Sequence, residues 1–344
     1  MLKTTFLEMA ETLEDPVALV DRILRAGLFL HASDIHFDPM ESGLRVRLRI
    51  DGELEDVLMI PRAMQSAVTS RLKVLASLDI AERRAPQDGG FSWRLAHAAA
   101  GGAQIPLDVR MATLPVRHGE RITLRLLEAG GRRLTLDELG MDAQDRARFD
   151  AAIKSPHGLI LLTGPTGSGK TTTLYAAIAE IMKGSEAKNI VTVEDPVEYE
   201  VPGIAQVEVD AVADKVNYSK ALRSLLRHDP DICVIGEIRD SESAEVAIRC
   251  ALTGHLVFST LHTNDAPSAA TRLEDLGIDK SLVDSTLRLV VAQRLVKREG
   301  GGRIGIFEMW SPGKTISRTM RDDAMAKADS GVIALSQVIK ALGD

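Results

Sequence analysis

Alternation of apolar and polar residues predicts β-strands in the first third of the chain. In residues 44–50, LRVRLRI, four apolar residues fall on one face of a strand and three arginines on the other. The Asp51-Gly52 pair that follows is typical of a two-residue hairpin turn. Residues 105–114 and 120–127 alternate in the same way, and a stretch with helical spacing lies between these strands. We therefore predict a small α+β domain over residues 1–127.

The pattern changes after a segment that is rich in glycine and arginine. This segment, residues 128–141, contains EAGGRRLTLDELG and is typical of an interdomain linker. Beyond it, four short runs are continuously apolar and are separated by helical stretches: GLILLTG, NIVTVED, DICVIGE and HLVFSTLH. Continuous apolarity is typical of strands buried on both faces. It predicts an α/β domain with a parallel sheet over residues 142–344.

Composition limits the classes of function. The 344-residue chain has 45% hydrophobic residues and a net charge of −7, which is ordinary for a globular protein and argues against nucleic-acid binding. The sequence contains no apolar run long enough to span a membrane and does not begin like a secretory signal, so a cytoplasmic location is expected. Cys233 and Cys250 both lie in apolar surroundings and are predicted core residues, which leaves no cysteines for a zinc site.

One short motif carries specific chemistry. Residues 164–171, GPTGSGKT, fit the pattern G-x-x-x-x-G-K-[ST] and lie between a predicted strand and a predicted helix. Its glycines let backbone N–H groups surround phosphate oxygens, and the helix N-terminus adds partial positive charge. We expect Lys170 to reach the β- and γ-phosphates of ATP and the Thr171 hydroxyl to bind Mg²⁺. The predicted nucleotide-binding residues are Gly164, Pro165, Thr166, Gly167, Ser168, Gly169, Lys170, Thr171 and Thr172.

Acidic residues follow two of the predicted parallel strands, at the sheet edge where ligands bind in such folds. Glu194 ends the second apolar run and is placed to hold Mg²⁺ through water or to orient the attacking water. A helix cap or a solvated turn is the alternative for Glu194. Glu237 follows Gly236 at the end of the third run and is the predicted general base or water-orienting residue.

Two of the eight histidines bracket the fourth apolar run. His255 and His262 are seven positions apart, so on a regular strand their side chains face opposite ways and do not act as one pair. His262, at the carboxyl end, is predicted to contact the γ-phosphate. His255 is predicted to contact a neighbouring element or subunit. A hydrogen-bonded structural histidine is the alternative for each.

Longer stretches of the sequence match one known family. In the second part they are GPTGSGKTTTLY, VTVEDPVEYEVPGIAQVEV, LRHDPDICVIGEIRDSESAEVAIRCALTGHLVFSTLHTNDA and AQRL. In the first part they are SDIHFDP, RVRLRIDG, ERRAPQDG and DVRMATLPVRHGERITLRLL. On these stretches, which span about residues 30–310, the chain closely resembles the type II secretion and type IV pilus assembly ATPases. The order of motifs is that of the family: Walker A, aspartate box, Walker B and histidine box.

The resemblance implies a PAS-like N-terminal domain followed by a RecA-like P-loop ATPase domain, with ATP between the two. It also implies a homo-hexameric ring at the cytoplasmic face of the inner membrane, in which hydrolysis of ATP with Mg²⁺ drives domain rotations. These rotations act on an inner-membrane platform protein. The implied function is to power assembly of a type II secretion pseudopilus or a type IV pilus, with membrane association only through partner proteins and without nucleic acid.

The same resemblance assigns roles to individual residues. It makes Glu237 the Walker B glutamate that activates water and places Glu194 in the aspartate box. His255 and His262 form the histidine-box pair.

Two arginine fingers of the family correspond to Arg110 and Arg125. Alternation leaves both arginines on the polar faces of their strands, opposite apolar residues. A solvated strand surface is the alternative for both. For the arginine row of residues 45–49, a solvated face and an interface or nucleotide role stay equally open.

Two features of longer family members are not expected here. Only about 30 residues precede SDIH, which leaves no room for an additional N-terminal domain that docks to a membrane partner. VKREGGGRIGIFEM stands where many members have a four-cysteine insertion, so no zinc site is expected.

Pilus retraction is the first alternative function, because retraction ATPases of the same superfamily have a similar length. Assembly or secretion is favoured because TLPVRHGERITLRLL and VEYEVPGIAQVEV look more like the assembly branch. A small-molecule kinase would need a lid and an acceptor site, and a nucleic-acid translocase would need a basic groove. A scaffold that binds ATP without hydrolysing it fits poorly with the intact Lys170 and Glu237.

Overall fold

The chain divides at about residue 131 into two units, residues 1–131 and 132–344. The computed structural model describes residues 15–96, 104–128, 134–209, 217–316 and 318–343. The GGRR part of the predicted linker lies outside these described residues. Each unit has its own sheet.

In the first unit, the described residues form two helices and six strands. In chain order these are α1 (Pro16–Phe29), β1 (Asp34–Pro39), β2 (Gly43–Ile50), β3 (Glu53–Pro61), α2 (Arg62–Leu75), β4 (Gln87–Ala96), β5 (Gln104–Val116) and β6 (Gly119–Glu128). The strands form one antiparallel sheet in the order β3-β2-β1-β6-β5-β4. The three alternating stretches predicted as strands are β2, β5 and β6, which confirms that reading.

The predicted hairpin turn between β2 and β3 is confirmed. Asp51 and Gly52 have φ angles of 51° and 85°, as a type I′ turn requires. The predicted alternation also holds, since Leu44, Val46 and Leu48 are completely buried. These residues share a hydrophobic core with the helices α1 and α2.

The second unit contains the remaining elements. They are a 3₁₀ turn (Leu136–Glu138), α3 (Ala143–Ile153), β7 (Gly158–Thr163), α4 (Lys170–Met182), β8 (Ile190–Glu194), β9 (Ala205–Glu208), α5 (Tyr218–Leu225), β10 (Ile232–Ile235), α6 (Ser241–Leu252), β11 (Leu256–Leu261), α7 (Ser268–Asp275), α8 (Lys280–Thr286), β12 (Leu287–Lys297), β13 (Arg303–Trp310), α9 (Met320–Asp329) and α10 (Leu335–Leu342). Among the helices that the structure describes, none is both long and apolar enough to cross a membrane.

The second sheet has the strand order β13-β12-β7-β11-β10-β8-β9. Every neighbouring pair is parallel except β12 with β13, which adds an antiparallel edge. The four predicted apolar runs are β7, β8, β10 and β11, and every residue in these strands is buried. Leu159 and Leu161 of β7 enter one core, whereas Ile160 and Leu162 enter the core on the other face. The prediction of a parallel sheet covered on both faces is therefore confirmed.

Part of the predicted linker packs against the second unit. Leu136 is 1% exposed and Leu139 is 7% exposed. The N–H group of Gly305 donates to the carbonyl of Leu139 at 3.2 Å, and Gly140 has a φ of 89° beside Ile304. The backbone hydrogen bond therefore attaches Leu139 to β13, and both leucines belong to the hydrophobic core that also contains Phe307 of β13.

Candidate active site

The phosphate-binding motif lies between the end of β7 and the start of α4. Gly164, Gly167 and Gly169 have φ angles of 140°, 78° and 87°, a region that side chains disfavour. A Cβ atom at Gly164 would also collide with the carbonyl oxygen of Gln293. Backbone conformation and lack of space therefore both require glycine at the first motif position.

Lys170 folds over the motif. Its Nζ donates to the carbonyl of Gly164 at 2.8 Å and to that of Pro165 at 3.1 Å. Burial lowers the pKa of Lys170, and nearby Glu237 acts in the opposite direction. Thr171 and Thr172 follow it in the first turn of α4 and are half-buried. This arrangement places one ammonium and two threonine hydroxyls in the first turn of a helix.

Gln293 on β12 supports the motif from behind. The side chain is 1% exposed, and its Nε2 donates to the carbonyl of Ser168 at 2.7 Å. A Cβ atom at Gly169 would lie 3.2 Å from the same nitrogen. The sequence pattern assigns no role to Gln293. Its stretch, AQRL, is a match to the family and carries no chemical signal of its own. Its position depends on the pairing of β12 with β7, which the sequence pattern does not reveal.

Thr163 connects the motif to the segment that carries His262. Thr163 is completely buried, and its Oγ1 accepts from the N–H of Thr263 at 2.8 Å. The side chain of Thr163 also lies 3.2 Å from the carbonyl of Leu261. Since Thr163 directly precedes Gly164, these hydrogen bonds connect the start of the phosphate-binding motif to the end of β11.

Glu237 lies in a group of charged side chains just beyond β10. One carboxylate oxygen pairs with Nε of Arg239, and the other lies 3.3 Å from Nε2 of His262. Arg239 also reaches Asp195, with 3.1 Å between guanidinium and carboxylate. The structure therefore brings the predicted residues Glu237 and His262 together. Arg239 was missed, although its place two residues after Glu237 in GEIRD is the signal that could have identified it.

Glu194 occupies a different environment. It is 5% exposed and accepts hydrogen bonds from Thr192 at 2.6 Å, from Gln206 at 3.3 Å and from the hydroxyl of Tyr175. Burial, together with the bond to Glu194, raises the pKa of Tyr175. Three donors thus hold the carboxylate of Glu194, and Asp195, the next residue, is the one that joins the Glu237 group.

His255 lies at the other end of β11. Its Nδ1 is 2.9 Å from the carbonyl of Cys250 and 3.0 Å from Oγ1 of Thr253. His255 and His262 are seven residue steps apart along an extended chain. At 3.3 Å per residue, this spacing corresponds to about 23 Å. The two histidines therefore take part in different local networks.

The two predicted arginine fingers lie in the first unit. Arg110 of β5 pairs directly opposite Arg125 of β6 in the strand register. Arg110 is exposed between the buried residues Val109 and Met111, as alternation predicts. Nε of Arg125 lies 3.2 Å from the carboxylate of Asp34 on β1.

The arginine row on β2 is ion-paired within the same sheet. Arg47 lies 2.7 Å from Asp38, and Arg49 lies 3.8 Å from Asp34. Arg45 lies 3.8 Å from Asp56. The polar face of this sheet therefore combines an arginine cluster with the carboxylates of β1.

The comparison with known families decides the class of protein. A family model described as Type II/IV secretion system protein matches residues 10–332. The chain belongs to this family. The resemblance drawn from the motifs is thereby confirmed.

Three curated relatives illustrate the match. The Type II secretion system protein HxcR of Pseudomonas aeruginosa is 50% identical over 282 residues, which are 82% of this chain and 58% of that protein. The Type II secretion system ATPase E of Vibrio cholerae is 48% identical over 281 residues, 82% of this chain and 54% of that protein. The Type IV pilus assembly ATPase PilB of Myxococcus xanthus is 49% identical over 294 residues, 85% of this chain and 50% of that protein. The chain thus spans about half the length of the curated relatives it matches.

Solved structures share the fold. The pilus retraction motor PilT with bound ADP is 28% identical, with a TM-score of 0.70 over 94% of this chain and 96% of that chain. The ATPase DotB of Legionella pneumophila has a TM-score of 0.77 at 22% identity, over 95% of each chain. The mixed α/β architecture predicted from the sequence is therefore shared with the solved structures of PilT and DotB.

Proposed function

We propose that this chain is a P-loop ATPase that powers assembly of a type II secretion pseudopilus or a type IV pilus. The main support is the position of Glu237, which lies 3.3 Å from His262 and close enough to Lys170 for its negative charge to oppose the lowering of the lysine pKa by burial. A carboxylate beside a phosphate-binding loop is the arrangement that hydrolysis of ATP needs. Relatives of about 50% identity that are named for secretion and pilus assembly support the biological setting.

The P-loop binds the phosphates of ATP through its backbone N–H groups and through Lys170. When ATP binds, Nζ of Lys170 gives up its hydrogen bonds to the carbonyls of Gly164 and Pro165 and donates to phosphate oxygens. These are stronger acceptors because they are charged. Mg²⁺ fits this site because it prefers oxygen ligands. The Thr171 hydroxyl at the start of α4 would be one such ligand, and phosphate oxygens would be others. When bound, Mg²⁺ neutralises charge on the β- and γ-phosphates.

Glu237 orients the attacking water and accepts its proton. Arg239 holds one carboxylate oxygen, so the oxygen next to His262 is the one that receives the water. The contact to His262 is long at 3.3 Å and the imidazole is half exposed, which leaves His262 free to contact the γ-phosphate. Glu194 takes part by fixing the turn that presents Asp195 to Arg239.

Arg110 and Arg125 supply positive charge to the transferred phosphoryl group. An arginine finger contributes about 10³–10⁵ in rate. We propose that the first unit is a PAS-like domain, that the second is RecA-like and that the chain assembles into a homo-hexameric ring. His255 then serves contacts between elements or subunits.

The ring acts at the cytoplasmic face of an inner membrane through a platform protein and other secretion or pilus proteins, without nucleic acid. Pilus retraction is the second candidate function, favoured by the similarity to PilT over nearly the whole chain. Assembly or secretion is preferred because identity to those relatives is 48–50%, against 28% for PilT.

A Glu237→Gln variant tests the proposal. We expect its ATP affinity to stay within about twofold of the wild type and its hydrolysis to fall by at least about a hundredfold, as for loss of a general base. Glu245→Gln on α6, which replaces an exposed carboxylate, is the matched control and should leave both values unchanged. Steady-state hydrolysis and calorimetric binding measure the two quantities. Near-normal turnover in Glu237→Gln would show that another group activates the water.

A further inference from the structure

Tyr218 makes two hydrogen bonds to the backbone of the predicted catalytic glutamate, Glu237. It is the first residue of α5, which Asn217 caps by accepting from the N–H of Lys220 at 2.8 Å. The hydroxyl of Tyr218 donates to the carbonyl of Glu237 at 2.8 Å. The same hydroxyl accepts from the N–H of Glu237 at 3.1 Å. One phenol therefore uses both its donor and an acceptor site on a single backbone residue.

The backbone around Glu237 explains why this contact matters. The strand β10 ends at Ile235, so the ladder hydrogen bonds stop just before Glu237. Gly236 is still held, because its N–H donates to Val193 at 2.8 Å and its carbonyl accepts from Thr260 Oγ1 at 2.8 Å. Ile238 is held in turn by a 3.0 Å bond from its N–H to the carbonyl of Thr260.

Glu237 lies between these two fixed residues. Its backbone N–H and carbonyl both form hydrogen bonds with the hydroxyl of Tyr218. Buried or half-buried backbone groups need partners, and here one side chain from another element provides them. The orientation of the Glu237 peptide, and with it the direction of its side chain, therefore depends on α5.

The ring of Tyr218 adds a second restraint. The guanidinium carbon of Arg239 lies 5.9 Å from the ring centroid, within the range of a cation–π contact. Arg239 is the residue that pairs with the carboxylate of Glu237 and with Asp195. Tyr218 thus contacts both the backbone of Glu237 and the side chain that holds its carboxylate. Burial raises the pKa of Tyr218 to about 12, so the hydroxyl remains a donor in the pH range of an enzyme assay.

We propose that Tyr218 is a positioning residue for ATP hydrolysis, whose hydroxyl fixes Glu237 in the orientation that receives the attacking water. This inference rests on the proposed role of Glu237. Among the described residues, the hydrogen bonds and the ring contact of the Tyr218 side chain are to Glu237 and Arg239 and not to the nucleotide-binding loop. Tyr218 therefore affects the hydrolysis step through Glu237 and leaves the binding of ATP unchanged.

The test is Tyr218→Phe in the full chain, which removes one oxygen atom and keeps the ring under Arg239. We expect kcat for ATP hydrolysis to fall by roughly tenfold, because small misplacements of a catalytic group have large effects on rate. KM and the dissociation constant of ATP should stay within about twofold. The thermal midpoint should change by only a few degrees, since the ring packing is retained.

Ser219→Ala is the matched control. It removes a hydroxyl from the next residue of α5, one that donates to Glu242 at 2.6 Å and attaches the same helix to α6. If the tyrosine acts on Glu237 specifically, Ser219→Ala retains the wild-type kcat. An equal loss of kcat in Ser219→Ala would assign the effect to loosening of α5 and would overturn the inference.

Glu237→Gln separates failure of this inference from failure of the proposed function. If Glu237→Gln is inactive but Tyr218→Phe has the wild-type kcat, the hydroxyl has no positioning role. If Glu237→Gln itself hydrolyses ATP normally, the proposed function fails first. Tyr218→Phe that loses ATP affinity together with turnover would show a general structural role instead. The variant that combines Tyr218→Phe with Glu237→Gln should have the same dissociation constant for ATP as Glu237→Gln alone.

Discussion

At the scale of single residues, Lys170 shows how the protein prepares a site for phosphate. Its ammonium is held against two carbonyl oxygens, and burial lowers its pKa. Removing an ammonium from water is costly unless an anion accompanies it. A bound phosphate group reverses that cost, so the lysine should contribute to affinity for nucleotide more strongly than an exposed lysine does.

Lys170→Ala should therefore weaken ATP binding by about 10- to 100-fold, since a hydrogen bond to a charged group contributes about 1.5–3 kcal/mol. Isothermal titration calorimetry with ATP and Mg²⁺ measures this directly. Lys183→Ala is the control, because Lys183 lies just after the same helix and pairs with Glu180 at the surface. Unchanged nucleotide affinity in Lys170→Ala would contradict the assignment of the phosphate-binding loop.

Residues at strand ends could be predicted from the sequence, whereas residues that support them could not. Glu237 and His262 come at the ends of apolar runs, and Lys170 belongs to the motif that follows another such run, so their location at one edge of the sheet follows from the pattern. Tyr218 and Gln293 act on residues 19 and 125 positions away along the chain. Their contacts depend on helix packing and strand order, which local periodicity does not encode.

At the scale of elements, the strands were predicted well because their burial leaves a direct trace in the sequence. β7, β8, β10 and β11 are continuous apolar runs, and β2 alternates. The segment after residue 134 belongs to the predicted linker, and its two buried leucines stand among polar residues and give no periodic signal. Its attachment to β13 involves residues more than 160 positions further along the chain.

The helix α3 carries a buried carboxylate that is unfavourable when charged. Asp145 is 3% exposed, and its Oδ2 has no hydrogen-bond partner among the described residues. Burial raises the pKa of Asp145, and the neighbouring charge of Asp323 raises it further. Asp323 is better satisfied, since it accepts from the N–H of Phe307 at 2.8 Å and pairs with Lys327 at 2.5 Å.

Asp145→Asn should stabilise the protein at neutral pH and raise its thermal midpoint, because burial disfavours the charged carboxylate in the folded state. A raised pKa in the folded state means that ionisation above about pH 4 favours unfolding, and asparagine does not ionise. The gain should therefore be present at pH 7.5 and disappear near pH 4. Thermal midpoints at both pH values measure it, with the exposed Asp279→Asn as control. A lower midpoint at pH 7.5 would show that the carboxylate is paired in solution.

At the scale of the whole molecule, the predicted chemical groups are divided between the two units. The phosphate-binding loop and Glu237 belong to the second unit, whereas Arg110 and Arg125 belong to the first. Under the proposed ring mechanism, assembly of subunits completes the site. Activity should then depend on the oligomeric state.

The ATPase rate per subunit should rise with protein concentration, in parallel with the mass measured by light scattering at each point. Arg110→Ala should assemble in the same way but hydrolyse ATP about 10³-fold more slowly, with little change in ATP affinity. A constant rate from a monomer would instead indicate a self-contained hydrolase or kinase and would exclude the ring mechanism for this chain.

The register that places Arg110 opposite Arg125 bears on the evolution of this sheet. Like charges directly opposite on antiparallel strands destabilise a sheet, and among the described residues Asp34 pairs with Arg125. A neutral residue at either position would give a more stable sheet. Selection for stability alone would therefore remove one of these arginines. Under the proposed function, their joint presence is a position where stability is given up for activity.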